Sequence, residues 1–231
     1  MRPDGKDPHV PGVFTNFSDL LAGMDAPAIV AVDIPIGFPA HSFGGRAPDN
    51  AVRKLLENGG SSVFPMPSRR AVFAALGPFP NSEARRRAHQ HACAVAEETS
   101  TPSRRITIFA FGIFPKIQEV DEVLRRNPSR QQRVFETHPE VAFRELNGER
   151  TLAESKKTDA GKDKRRRLLI SAGLPASLVN SVPPIGAKTD DLLDALVCAL
   201  VARRIHHQTA KCYPDKPEVD KELGLPMAIW A

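Results

Sequence analysis

Ile29-Val-Ala-Val-Asp-Ile-Pro-Ile-Gly-Phe-Pro39 decides how the rest of the chain is read. Ile29 to Val32 is a short, β-branched apolar run that follows Pro27, and it predicts a strand buried on both faces of a parallel or mixed sheet. Asp33 ends the run, and Pro35, Gly37 and Pro39 prevent further pairing. A carboxylate thus stands where a core strand stops and a rigid loop starts. In open α/β sheets that carboxyl end is where ligands bind. An ionised Asp beside a dry strand needs partners, and a metal ion is one of them. The alternative is that Asp33 only caps the following turn through backbone amides.

Outward from this stretch, the chain alternates strand-like and helical segments. Phe17 to Met24 reads as a short helix capped by Asn16 or Ser18. Asp49 to Glu57, Ser68 to Leu76, Glu83 to Glu98 and Lys116 to Arg126 read as further helices. Ile106 to Ile113 reads as a strand or a buried turn. Arg133-Val-Phe-Glu-Thr-His138 alternates as a strand, and Pro139 opens a helix from its first position. A helix over Ala160 to Ser171 ends at Gly173 and Pro175. Thr189 to Arg204 is the clearest helix, with Thr189 or Asp190 as its cap, early acids and late arginines. Val10 to Phe14 reads as a remnant edge strand, and Met227 to Trp230 as a small docking strand. No repeat or linker interrupts the pattern, so residues 1–231 read as one α/β domain. It has a polar segment at 1–9 and a Pro-rich extension at 206–231.

Composition narrows the function classes. A formal net charge of +5 favours polyanionic partners. The sequence has no run of about 18 apolar residues, which predicts no membrane span. Nor does it begin with an apolar signal core. Cys93, Cys198 and Cys212 are widely spaced and odd in number, so they predict no disulfide framework and fit a reducing cytoplasm. His89, His91 and Cys93 offer only two residues on one helical face, too few for a metal site.

Three groups of residues carry the candidate chemistry. Asp191 and Asp194 lie three apart on the last helix, and their face continues through Cys198, Val201 and Ile205. Acids on an inward face need neutralising, and a Mg²⁺ or Mn²⁺ ion shared with Asp33 does so. Two-metal phosphoryl transfer requires such hard oxygen ligands around cations about 4 Å apart. The other reading makes Asp190 and Asp191 first-turn dipole partners, which leaves Asp194 unexplained. Glu136 and Glu140 flank His138-Pro139. Either acid could supply a fourth ligand, and His138 could move a proton or be a structural histidine bonded to backbone. Residues 156–167 hold seven cations, Lys156 and Lys157 among them, against Asp159 and Asp163. That run is either a solvated face or a grip on phosphates.

Several segments together resemble the bacterial and archaeal domain-of-unknown-function family 429, described as predicted nucleases of the RNase H fold. They are Val30–Pro39, Ser61–Pro65, Pro115–Asp121, Phe135–Val141, Ser155–Thr158 and Gly186–Ala195, in family order. The resemblance implies a mixed five-stranded sheet flanked by helices, with acids at strand ends and on the final helix. Asp191-x-x-Asp194-Ala-Leu is also similar to the last-helix acids of RuvC-type resolvases, and Asp33 falls where those enzymes carry their central-strand acid. One feature departs: the family opens with a strand bearing Asp-Gly, and no apolar strand precedes Asp4-Gly5. The expectation is an RNase H-like domain lacking that first strand, with an exposed sheet edge that invites a homodimer.

The resulting expectation is a cytoplasmic, metal-dependent nuclease acting on DNA or RNA. Asp33, Asp191, Asp194 and Glu140 hold Mg²⁺ or Mn²⁺, His138 assists proton transfer, and Lys116, Lys156 and Lys157 contact phosphate. The rivals are a non-catalytic nucleic-acid-binding protein that has lost a catalytic acid, and a small-molecule phosphate enzyme. The latter is disfavoured because no Gly-rich phosphate loop is present.

Overall fold

Two short strands and the loops at their carboxyl ends form the centre of the molecule. The computed structural model describes residues 11–22, 29–56 and 63–231. Strand β1 (Val30–Val32) runs parallel to β2 (Val134–Glu136), with Val30 opposite Val134 and Val32 opposite Glu136. Val30 is buried while Ala31 and Val32 are half-buried, so β1 is less enclosed than its apolar run predicts. Among the described residues no strand pairs with the other edge of β1. A second, antiparallel pair joins β3 (Cys212–Tyr213) to β4 (Ile229–Trp230). A single bridge from Trp230 to Thr137 places β4 alongside the end of β2. The docking strand expected at Met227–Trp230 therefore forms, over its last two residues.

Helices make up most of the chain. They are α1 (Phe17–Ala22), α2 (Ala47–Leu55), α3 (Arg69–Val72), α4 (Ser82–Glu98), α5 (Ile108–Arg126), α6 (Pro128–Gln131), α7 (Pro139–Leu146), α8 (Asp159–Ser171), α9 (Ala176–Val179) and α10 (Thr189–His206). Their starts follow local chemistry. Asn16 accepts from the Asp19 amide, and Thr107, Asn81 and Thr158 accept from the third amide beyond them. Pro139 sits at the first position of α7, where its missing N–H removes no helix bond.

The result is an α/β protein with a much smaller sheet than five strands, among the described residues. One difference lies at Ile106–Ile113. The Thr107 hydroxyl caps Ala110, and Phe111 and Phe114 pack inward against α4 at helical spacing, so the segment opens α5 instead of forming a strand. Residues 11–14 form no strand either. Asp4-Gly5, and with it the question of a first strand, lies outside the described residues.

Three apolar clusters support the fold. The largest joins α7, α8 and α10 through Phe143, Leu169, Leu193 and Val197. A second fills the space between α3, α4 and α5. The third packs Val30 and Val134 against Leu124 and Phe17. No helix among the described residues is long and apolar enough to cross a membrane.

Candidate functional site

Asp33 leaves the carboxyl end of β1, and Asp194 lies one turn into α10; Asp194 bonds Lys156, and Asp33 lies near enough for its charge to act on the same ammonium. Three packing facts bring this about. Helix α10 presses Leu193 and Val197 into the largest core, which turns the neighbouring Asp194 toward β1. Thr158 caps α8 and fixes the turn that presents Lys156 and Lys157. His138 and Glu140 enter from the junction of β2 and α7.

The Lys156 ammonium donates to Asp194 Oδ2 at 2.6 Å. Burial alone would depress the Lys156 pKa, but the Asp194 hydrogen bond and the charges of Glu140 and Asp33 hold it above its ordinary value. Burial pushes the Asp194 carboxyl up; Lys156 opposes that shift while Asp33 and Glu140 reinforce it. Asp33 behaves in the same way, with desolvation raising it, His138 and Lys156 lowering it and Glu140 raising it again. The Asp33 side chain remains open to solvent on one side while protein atoms crowd its carboxyl group from the others. Cys198, one turn beyond Asp194, lies against the same group, and burial with the two aspartates nearby keeps its thiol neutral.

Glu140 is committed differently. Both its oxygens accept from Arg165 Nη2, at 2.8 and 2.7 Å. Arg165 is buried, bonds the carbonyls of Glu154 and Gly161, and lies 5.3 Å over the Phe143 ring. Three buried atoms at the site have no hydrogen-bond partner: Asp194 Oδ1, His138 Nδ1 and Arg165 Nε. Such atoms are costly in an interior, and a bound ion, ligand or water is what would satisfy them.

The remaining expected residues lie elsewhere. Asp191 is exposed and accepts from the Lys188 amide at 2.8 Å, so it caps α10 and is not drawn into the cluster. The inward face of the helix begins at Asp194. Asp190, not Asp191, is the buried acid of the first turn; its carboxylate is bonded by Lys157, which holds its pKa down. Lys157 is thereby paired. Lys116 bonds the Thr15 carbonyl and Glu119 on the α1 side of α5, away from the cluster. Glu136 is turned inward to Arg46, with Nη2 2.6 Å from Oε1, and its Oε2 accepts from the Ile36 amide. His89 and Cys93 do share a face, but both satisfy the Ile106 carbonyl. Sequence reasoning missed Arg165. The signal was the spacing Gly161, Arg165, Leu169, which puts one member of the basic run on an otherwise buried stripe.

As a donor set for a divalent cation, the cluster offers Asp33 and the unpartnered Oδ1 of Asp194. Glu140 is held by Arg165, and Lys156 stands between the acids. No group of three His, Cys, Asp or Glu side chains among the described residues forms a ready metal site. These oxygens fit one hard cation better than a two-ion cluster.

The fold and cluster define a mixed α/β protein with acids gathered at the carboxyl end of a parallel strand pair. A family model described as "Protein of unknown function (DUF429)" matches residues 4–219, and the chain belongs to that family. No curated protein and no solved structure matches the chain.

Proposed function

We propose that the protein is a metal-dependent phosphodiesterase acting on nucleic acid, built on an RNase H-like plan. The observation that carries this reading is the convergence of Asp33 and Asp194 on Lys156, with Asp194 Oδ1 buried and unpartnered. Asp33 and Asp194 would hold one Mg²⁺ or Mn²⁺, and the bound ion would polarise a phosphoryl oxygen and lower the pKa of a water. The side chains divide the remaining work. Lys156 neutralises the acids before substrate arrives and takes a phosphate oxygen once they are otherwise compensated. Glu140, fixed by Arg165, holds a negative charge that keeps Lys156 protonated. His138, at the cap position of α7 with a buried free Nδ1, is placed to accept or return a proton.

Incubating the full chain with Mn²⁺ and labelled single-stranded, duplex and branched DNA or RNA tests the reading. Cleavage that is lost in Asp33→Asn and Asp194→Asn supports it. Absence of cleavage on every substrate, or full activity in Asp194→Asn, refutes it. Binding without turnover would favour the non-catalytic alternative, a nucleic-acid-binding protein.

A further inference from the structure

A cavity of about 650 Å³ opens beside the carboxylate cluster, between the start of α8, the loop ahead of α10 and the first turn of α10. Its walls carry Lys157, Lys162, Lys188, Asp190, Val182 and Pro183. The cavity shares its elements with the cluster: Lys157 follows Lys156 directly, and Asp190 lies one turn before Asp194 on α10. A volume of this size accommodates a nucleotide.

The charges in the cavity are unevenly matched. Asp190 is committed to Lys157, and Lys162 has only Asp159, itself 99 % exposed, at 3.5 Å. Lys188 has no carboxylate within ion-pair distance among the described residues, although its backbone amide is taken by Asp191. The cavity therefore presents a surplus of positive charge with little to compensate it. Its rim is apolar. Val182 is 89 % exposed, and Ile185 on the same loop is fully exposed. Large side chains held in water by a Pro-Pro loop, beside uncompensated lysines, are not accounted for by packing.

We infer that this cavity is a subsite for one nucleotide of a single strand, adjoining the residues around Asp194. Lys162 and Lys188 take the phosphate, and Val182 with Ile185 covers the face of the base. The inference rests on the nucleic-acid reading of the neighbouring cluster. It assigns a role to Lys162 of the basic run at 156–167, in which Lys156, Lys157 and Arg165 are already paired with Asp194, Asp190 and Glu140. Single strands are favoured because an unpaired base can lie on an apolar rim, whereas a duplex hides that face in its stack.

The test is binding of a fluorescently labelled ten-nucleotide oligothymidylate to the full chain in EDTA, followed by anisotropy across a salt series. EDTA separates binding from cleavage. Removing two phosphate contacts in Lys162→Glu/Lys188→Glu should weaken binding about ten-fold or more and flatten the salt dependence. Val182→Asp should weaken binding while a Val182→Leu control retains it. A ten-base-pair duplex should bind less tightly than the single strand. The inference is overturned if the double charge reversal, folded by circular dichroism, binds within two-fold of wild type. It is also overturned if inorganic phosphate or a mononucleotide displaces the oligonucleotide at micromolar concentration, since the cavity would then be a small-molecule site. Cavity-dependent binding without any Mn²⁺ cleavage would refute the phosphodiesterase reading and leave the subsite standing; cleavage insensitive to Lys162 and Lys188 would do the reverse.

Discussion

Two groups of charged side chains lie within a few residues of the strand ends, and they solve the same problem in opposite ways. Around Arg46, every charge is enclosed and answered. Arg46 bonds Asp49 and Glu136 and also donates to the Ile36 and Gly37 carbonyls, while Asp49 accepts from the Met66 amide. Around Lys156, one ammonium serves acids that are only partly enclosed, and Asp194 Oδ1 has no partner. The first arrangement ties the 36–49 loop to the end of β2. The second leaves donors and acceptors for something not part of the chain. Between these two groups, the one with complete hydrogen bonds is structural and the one that leaves an acid oxygen open is the candidate for function.

Within the Arg46 group both partners are shifted upward, for different reasons. Burial pushes Glu136 up to about 7, while Asp49 and Glu136 hold Arg46 more firmly protonated against its own burial. The contacts decide the charge state, because Glu136 faces two guanidinium nitrogens and an amide, all donors, and only a carboxylate accepts from all of them. Arg69 likewise pairs with Asp121 and Asp220, at 2.8 and 2.6 Å through Nη2, and ties the C-terminal segment to α3 and α5, although its Nε and Nη1 have no hydrogen-bond partner.

The contrast can be broken most severely at Arg46. Arg46→Met leaves Glu136 and Asp49 buried without a cation and should cost about 3–5 kcal/mol by urea denaturation. Adding Glu136→Gln should recover part of that loss; no recovery would mean that Arg46 acts mainly through the Ile36 and Gly37 carbonyls. A smaller loss is expected at Gly161, where a Cβ would lie 1.9 Å from the Ser155 carbonyl oxygen. Gly161→Ala should cost about 1–3 kcal/mol and, by moving the turn that carries Lys156, reduce Mn²⁺-dependent activity more than it reduces stability.

The Lys156 group should respond with the opposite sign. Its aspartates have folded pKa values above their ordinary ones, so protonation favours the fold. That contribution is complete below the unfolded pKa near 3.8 and declines as pH rises through the folded value. Asp194→Asn should therefore stabilise the cation-free protein at neutral pH by about 0.5–1 kcal/mol while abolishing activity, a trade expected of a functional site and not of the Arg46 group. Lys156→Met should steepen the loss of stability with rising pH in chelator, and Mn²⁺ should restore it, as read by thermal melts across pH 4–8.

Much of this was legible in the sequence because local rules suffice for it. The break at Asp33, the proline at the start of α7 and the apolar stripe of α10 each follow from a few adjacent residues. The order of the acids along α10 was not legible. Asp190, Asp191 and Asp194 are alike by composition, and only the phase of the helix against the core separates a buried partner of Lys157, an exposed cap and a site residue. Tertiary pairing also decided Glu140 and Glu136, since the arginines that claim them, Arg165 and Arg46, lie 25 and 90 residues away. The segment at Ile106–Ile113 was ambiguous for a different reason: a short apolar run has no period of its own, and the Thr107 cap settles it as helix.

The account depends most on Asp33 and Asp194 forming one cation site across the gap held by Lys156. Titrating Mn²⁺ into the full chain, with free ion followed by electron paramagnetic resonance, measures this without any substrate. One ion per chain is predicted, lost in Asp33→Asn and in Asp194→Asn and retained in Asp191→Asn. No bound ion in the wild-type chain, or undiminished binding in Asp194→Asn, would contradict the account.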